Sequence, residues 1–464
     1  MAGGGRTVAR LIERLTTPKP MSGPVVSRVA YVSPMPPART GIASYSATVL
    51  EGLDRIGYRR RRDLDVIWPV RPKHDVAMAR YQLGVYHIGN NFEFHGDIYR
   101  LASLHPGVVV LHDLGLDDLT RALVASGDAL GYRAGREALL RSEHLSLPEA
   151  KTNEPLAWPW CAHLARAARG IIVHSEFCRR YLEDFGCRTP VFVVPHPVVE
   201  TDAAVRRAER TGAMIRNRLG LREGEVLLVA PGDLNPAKQL GFVVEAVARL
   251  EPNVRLALVG RRVPTWDPDQ VLRDGGLGAR VTLAADVSDE EFLGWLHAAD
   301  VVVDLRFPHR GEVSGTLIRA MQVGRPSVVS GVGTYLDLPD DVVVHVAPGQ
   351  PDVAELAAVL SRLVADPESR SRLGERAKAH LEATAGNART ARGYERAIEQ
   401  TLSLVLDPRR LALARWARAL NEIGVTSDGL DEEFGLGYVR GLADFAPVPG
   451  AAGIGRPGRE TPVD

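Results

Sequence analysis

The sequence predicts an α/β protein made of two Rossmann-like, doubly wound parallel-sheet domains that face each other across a cleft. Three observations carry this prediction. The chain of 464 residues exceeds one ordinary domain. Short runs of Val, Ile and Leu alternate with helical patterns from end to end, as βα units do. Within those runs polar residues do not alternate with apolar ones, so the strands are buried on both faces, as in a parallel sheet.

In the first half, strands are expected at 28–33 (RVAYVS), 65–70 (DVIWPV), 83–89 (LGVYHIG), 108–113 (VVVLHD), 171–175 (IIVHS) and 191–197 (VFVVPHP). In the second half they are expected at 226–232 (VLLVAPG), 254–260 (VRLALVG), 280–285 (RVTLAA), 301–305 (VVVDL), 326–331 (PSVVSG) and 342–347 (VVVHVA). The clearest helix is 288–300, which opens with Ser288 and Glu291 at capping-box spacing. Residues 126–160 read as the longest irregular insertion of the first half, and after 350 the chain is helical. The polar stretch 201–224 has no strand pattern and is read as a linker. The expected organisation is a flexible tail (1–24), a first domain (25–200), the linker, a second domain (225–405), a helical extension (406–446) and a Gly/Pro-rich disordered tail (447–464).

Composition narrows the function. The chain is 45% hydrophobic and 25% charged, as globular proteins are, and a formal net charge of zero argues against nucleic-acid binding by a basic surface. Its three cysteines fit neither zinc spacing nor a disulfide framework, so a reducing cytoplasm is the expected compartment. No apolar run approaches the roughly 18 residues of a membrane span. The segment RTVARLIERL can form an amphipathic helix, which leaves peripheral membrane contact open beside the simpler reading of a tail.

Residues able to do chemistry gather at the predicted strand ends. Gly41 opens a helix after a Pro-rich turn, where backbone N–H groups can approach an anion or a sugar hydroxyl; an ordinary βα turn looks the same. Lys238, one of only five lysines, lies where a helix starts after a buried strand. An ammonium there can meet a phosphate already favoured by the helix dipole. In VVVDLRFPHRGEVSGTLIRAM (301–321), Arg306 follows a strand, Glu312 follows Gly311, and Ser314-Gly315 heads a helix. The N–H groups of Val313, Ser314 and Gly315 suit a diphosphate, the Glu312 carboxylate suits sugar hydroxyls, and Arg306 and Arg319 offer fork-shaped donors. A surface cluster of two arginines and a glutamate is the plainer alternative. His95, His112 with Asp113, and His174 fall near strand ends of the first half, facing the expected cleft. No histidine pair has helical zinc spacing, and the DxD patterns at 63–65 and 267–269 are not placed as a magnesium clamp, so no metal is expected.

These motifs, in order and spacing, resemble glycosyltransferase family 4, whose fold is the two-domain GT-B. The resemblance runs over about residues 26–405 and rests on SPMPPARTGIASYSATVLEGL, VVVLHD, IIVHSEFCRRYL with VVPHPV, PGDLNPAKQ, RVTLAADVSDEEFLGWLHAADVVVDL and GEVSGTLIRAMQVGRPSVVSGVGTYLDLPD. It implies retaining, metal-independent transfer of a sugar from a nucleotide-diphosphate sugar to an acceptor hydroxyl, with no cofactor. The acceptor class, a glycan, a lipid-linked sugar or a small molecule, stays open, as does oligomer formation. The resemblance further implies that Lys238 holds the diphosphate, Gly41 lies near phosphate or sugar, and His112 touches the sugar. Glu312 would bind sugar hydroxyls, and Ala285, Asp286 and Val287 would edge the base. Two positions depart from the family: Asp233 stands where an arginine is usual, and Arg319 where a second glutamate is usual, an arrangement that resembles a branch with a GE-x-SG donor loop. Arg306 or Arg319 is expected to supply the charge that Asp233 lacks. Two other readings share the architecture, a sugar-nucleotide 2-epimerase and a catalytically degenerate nucleotide-sugar-binding scaffold.

Overall fold

The structure, a computed structural model, describes residues 27–147, 153–263, 266–349 and 352–405. The expected tail 1–24, extension 406–446 and tail 447–464 lie outside the described residues. Residues Pro24–Ser403 form one compact unit; of the second unit, Met1–Gly23 with Leu404–Asp464, only residues 404 and 405 are described.

All twelve predicted strands are present, and every pairing is parallel. The N-terminal sheet contains β1 (Arg28–Val32), β2 (Asp63–Ile67), β3 (Leu83–Ile88), β4 (Val108–Leu111), β5 (Gly170–Val173) and β6 (Val191–Val193), in the order β2-β1-β3-β4-β5-β6. The C-terminal sheet contains β7 (Val226–Pro231), β8 (Val254–Gly260), β9 (Val281–Ala285), β10 (Val301–Asp304), β11 (Ser327–Ser330) and β12 (Val344–Val346), in the order β12-β11-β10-β7-β8-β9. Strand order reverses between β1 and β3 in the first sheet and between β7 and β10 in the second. At such a switch point the connections leave in opposite directions, and a crevice opens beyond the strand ends. Lys238, Arg306 and Glu312 follow the strand ends at the second switch point, and Gly41 follows β1 at the first.

Burial on both faces explains the apolar strand runs. Leu228 and Ala230 of β7 face a core closed by helices Leu240–Ala248 and Val353–Ala365. Leu227 and Val229, pointing the other way, pack with helix Asp289–Ala298, whose Ser288 cap accepts from Glu291 N at 3.2 Å as the capping box predicts. The stretch read as a linker differs: Asp202–Arg218 is a helix, capped by Thr201, that buries Ala208 and Ile215 in this same core. Its apolar positions are few and small, so the polar face dominates the sequence pattern. The insertion 126–160 is also less irregular than expected, since Ala129–Ser142 is a helix capped by Asp128. Two glycines hide it in the sequence; Gly131 lets it approach the preceding helix, where a Cβ would land 2.6 Å from Val124 N. Finally, helix Asn387–Val405 returns to the N-terminal half: Tyr394 Oη meets Tyr45 Oη at 2.8 Å, and Glu395 and Glu399 pair with Arg61 and Arg62.

Candidate functional site

At the C-terminal switch point β7 ends in Gly232 and β10 ends in Asp304. Lys238 closes a 3-10 turn after β7 and reaches Asp304 Oδ1 at 2.5 Å. This pair is dry, with side chains 7% and 0% exposed. Asp304 Oδ2 also accepts from Ser314 Oγ at 2.6 Å and from Tyr335 Oη at 2.9 Å. Burial pushes the Lys238 ammonium down from its ordinary value while Asp304 pulls it back up. Burial likewise opposes charge on Asp304, but Lys238 and Arg306 outweigh it and hold the carboxyl below its ordinary range. The net effect on Lys238 is a lowering, which Asp304 only partly offsets.

Ser314 caps helix Gly315–Gln322 through Leu317 N at 3.2 Å, and its carbonyl takes Ile318 N. Among the described residues the N–H groups of Gly315 and Thr316 meet no protein acceptor. A Cβ on Gly315 would find nothing within 4 Å, whereas one on Gly232, at φ +117, would strike Lys238 Nζ at 2.9 Å. Gly315 thus faces open space, and the Lys238 ammonium is tied to the cap of the same helix through Asp304, which accepts from both Lys238 and Ser314.

Glu312 stands just before this helix. Its carboxylate pairs with the Arg306 guanidinium through Oε1 and accepts Arg310 N through Oε2 at 2.7 Å. Burial opposes ionisation, but the His309 ring, the Arg306 guanidinium and these hydrogen bonds prevail, and the carboxyl titrates below its usual range. Val313 is half-buried and Gly311, at φ +81, packs on Leu114 of the N-terminal half. Arg319 is not part of this group. Its Nε bonds Glu200 at 2.8 Å and its guanidinium lies over Phe292, because helix geometry turns residue 319 away from the loop. Asp233 is met instead by Arg261 at 2.7 Å, whose other nitrogen bonds the carbonyl of Arg39, two residues before Gly41.

At the N-terminal switch point the chemistry is different. Gly41 begins helix Gly41–Arg55 behind a Thr40 cap and faces open space. His112 sits in a cluster of imidazoles around Tyr45: ring centroids lie 4.7 Å (His112), 5.1 Å (His174), 4.8 Å (His196) and 5.9 Å (His87) from that of Tyr45. His87 Nδ1 meets His112 Nε2 at 3.1 Å, while Nδ1 of His174 and of His196 each bond a carbonyl, Val194 O and Pro197 O. Burial lowers all four, followed for His87, His112 and His196 by the neighbouring rings; His174 falls to about 4 and His196 to about 3. The cluster is neutral. Nε2 of His174 is buried with no protein partner among the described residues. His95, expected at the cleft, is instead a core residue, 1% exposed, with Nδ1 bonded to His87 O at 3.0 Å. Asp113 is half-buried, accepts Asn90 N at 2.8 Å, and is pushed up to about 7 by burial and then by the charge on Glu312. Among the described residues no set of three or more His, Cys, Asp or Glu side chains could hold a metal ion.

Ala285, Asp286 and Val287 line a groove of about 450 Å³ together with Arg218, Glu291 and Trp295. Asp286 takes φ +55 there and accepts Arg262 N at 3.1 Å. Sequence reasoning passed over Asp304, Tyr335, Arg261, His87, His196 and Tyr45. A lone acid ending the run VVVDL was the available signal for Asp304, and the histidines of LGVYHIG and VVPHPV were the signal for two of the others.

Comparison with known proteins fits this geometry. Residues 225–366 match the family model for group 1 glycosyl transferases. A mannosyltransferase of Mycolicibacterium hassiacum, named as an MMP alpha-(1->4)-mannosyltransferase, is 32% identical over 35% of this chain and 39% of its own length. A D-inositol 3-phosphate glycosyltransferase of Xylanimonas cellulosilytica is 30% identical over 39% of this chain and 43% of its own. The chain thus spans about two fifths of the length of these curated relatives. Among solved structures, Anabaena HepE in complex with UDP and glucose superposes with a TM-score of 0.56 at 15% identity, over 81% of this chain and all of that one. Sucrose-phosphate synthase of Thermosynechococcus elongatus gives 0.58 at 18% identity, over 82% of this chain and all of that one. The fold is GT-B, with two Rossmann-like domains, and a glycosyltransferase group 1 match covers most of the C-terminal one.

Proposed function

We propose that the protein is a glycosyltransferase that moves a sugar from a nucleotide-diphosphate donor to an acceptor hydroxyl with retention at the anomeric carbon and without a metal ion. One observation carries the reading: in the domain matched by the glycosyltransferase model, the Lys238 ammonium and Ser314, the cap of the helix that opens with Gly315, meet on the single carboxylate of Asp304. Departure of a nucleoside diphosphate builds negative charge as the anomeric carbon becomes oxocarbenium-like. Fixed cations and N–H dipoles stabilise that charge without reorganising. Lys238 remains an ammonium there because Asp304 shares its burial. Glu312 and Asp113 border the next space, where sugar hydroxyls would be read, and the neutral imidazoles of His112 and His174 add uncharged hydrogen-bonding edges. The Glu312 carboxylate is engaged by Arg306 and Arg310 N, which suits a positioning group better than a nucleophile and agrees with same-face attack assisted by the leaving phosphate.

UDP and UDP-glucose are the first probes to use, since HepE is described with both. The acceptor belongs to the glycan, lipid-linked or small-molecule class, and the reaction belongs in the cytoplasm or at a membrane surface; among the described residues no helix is long and apolar enough to cross a membrane. Calorimetry against a panel of nucleoside diphosphates tests the reading. Wild type should bind one of them, and Lys238→Ala, still folded, should lose about 100-fold or more in transfer. Absence of binding to every member would remove it.

A further inference from the structure

We propose that Asn153, a residue of the N-terminal half, is a positioning residue for the loop that presents Glu312, so that the sugar subsite of the C-terminal half is complete only with the N-terminal half docked on it. The inference rests on the donor reading above for what the subsite binds, and on geometry alone for the clamp. Asn153 stands at the N-cap position of helix Glu154–Ala157, where an asparagine side chain ordinarily accepts a helix N–H. Here it makes no such bond. Its amide is turned onto the peptide of His309, accepting His309 N through Oδ1 at 3.0 Å and donating from Nδ2 to His309 O at 2.5 Å, in full burial.

The next residues are held from the same side. Leu114 N and Gly115 N donate to Arg310 O at 2.7 and 2.9 Å, Cys178 Sγ reaches Gly311 O at 3.1 Å, and the Arg310 guanidinium pairs with Asp117. Three consecutive carbonyls, 309 to 311, therefore take their donors from the N-terminal half. From the C-terminal half, Thr334 Oγ1 donates to Glu312 O at 2.6 Å, the His309 ring accepts Gly311 N at 2.8 Å, and Arg306 pairs with the Glu312 carboxylate. Glu312 inherits its position from this arrangement, because one of its oxygens is fixed by Arg310 N. Lys238 and the Gly315 and Thr316 N–H groups, by contrast, are held within the C-terminal half. Asn153 should therefore govern the sugar and leave the diphosphate alone. It also gives a purpose to the end of the long insertion in the first half.

The experiment combines two readouts on the full chain with Asn153→Ala and Asn153→Asp. Hydrogen exchange should rise at least tenfold at the amides of His309, Leu114 and Gly115 in Asn153→Ala, with helix Gly315–Gln322 unchanged. Asn153→Asp, which keeps the acceptor for His309 N and loses the donor to His309 O, should fall between. Unchanged exchange at those three amides in Asn153→Ala, or in Asn153→Asp should the alanine variant not fold, overturns the clamp. In calorimetry the affinity for UDP should stay within twofold while that for UDP-glucose weakens fivefold or more. Equal weakening of both overturns the positioning role. Failure of wild type to bind either would count against the donor reading, and the exchange result would still decide the clamp.

Discussion

The two switch-point crevices solve opposite electrostatic problems. In the C-terminal half the groups are charged and matched: Lys238 with Asp304, Arg306 with Glu312. In the N-terminal half four imidazoles surround Tyr45 and are all driven toward the neutral form. A charged half can receive a leaving diphosphate, and a neutral one can hold hydroxyls without attracting a second anion. The difference teaches that fold symmetry does not carry over to charge; two similar sheets place very different chemistry at equivalent crevices.

Acid should separate the halves most strongly. The imidazoles titrate in the folded state well below the ordinary 6.5, His174 near 4 and His196 near 3, so the unfolded chain binds more protons between those values. Stability is then full above about pH 6.5 and is lost as pH falls toward 4. Asp113, raised to about 7, works the other way over the same window, since its folded state takes up a proton first. His95 and His309, each lowered to about 4, add to the same loss, so the imidazoles outnumber the one opposing carboxyl and stability falls on acidification. Urea midpoints at pH 7.0, 6.0 and 5.5 measure it, and a flat profile would contradict the neutral cluster. In the C-terminal half Asp304 and Glu312, held below ordinary carboxylates, add nothing in this range, and the buried His309 carries a share of the loss.

Asp304→Asn probes the charged half alone. It leaves Lys238 buried without a counter-charge and should cost about 3 kcal/mol, against about 1 kcal/mol for His112→Gln in the neutral cluster. Comparable losses in the two variants would erase the contrast. The nucleotide should report it as well: in Asp304→Asn, binding of UDP should weaken as pH rises, because Lys238 can then shed its proton, while wild type stays flat from pH 6 to 8.

The sequence carried the fold because its signals are local and additive. Each run of Val, Ile and Leu declares a strand by itself, and all twelve are present. It carried Lys238, Ser314 and Gly315 to one crevice because the residues that follow a strand end at a switch point have few other places to go. What it missed depends on pairing across long separations. Asp304 lies 66 residues from Lys238, and no periodicity links them. Asn153 acts on His309 across 156 residues from within a stretch that reads as irregular. His95 was legible as a histidine at a strand end, but helix Phe92–Leu104 turns it inward, which spacing alone does not reveal. Arg319 was drawn to Glu312 by proximity in sequence, and Glu200 held it elsewhere.

The smallest effect is the most discriminating. Tyr45 Oη and Tyr394 Oη form a buried pair at 2.8 Å that ties helix Gly41–Arg55 to helix Asn387–Val405. Removing one hydroxyl strands the other away from water, so Tyr45→Phe should lose about 1 kcal/mol, and Tyr394→Phe a similar amount. Removing both leaves two apolar rings in contact, and the double variant should be close to wild type, a coupling of about 2 kcal/mol in a thermodynamic cycle. The same cycle on the charged half, Lys238→Met with Asp304→Leu, should recover only part of the loss, since removing Asp304 also strands the buried Ser314 and Tyr335 hydroxyls that it accepts from. There the likeness should end. Loss of the tyrosine pair should leave UDP affinity within twofold, whereas loss of the ion pair should remove UDP binding altogether, because in the proposed function the Lys238 ammonium holds the diphosphate.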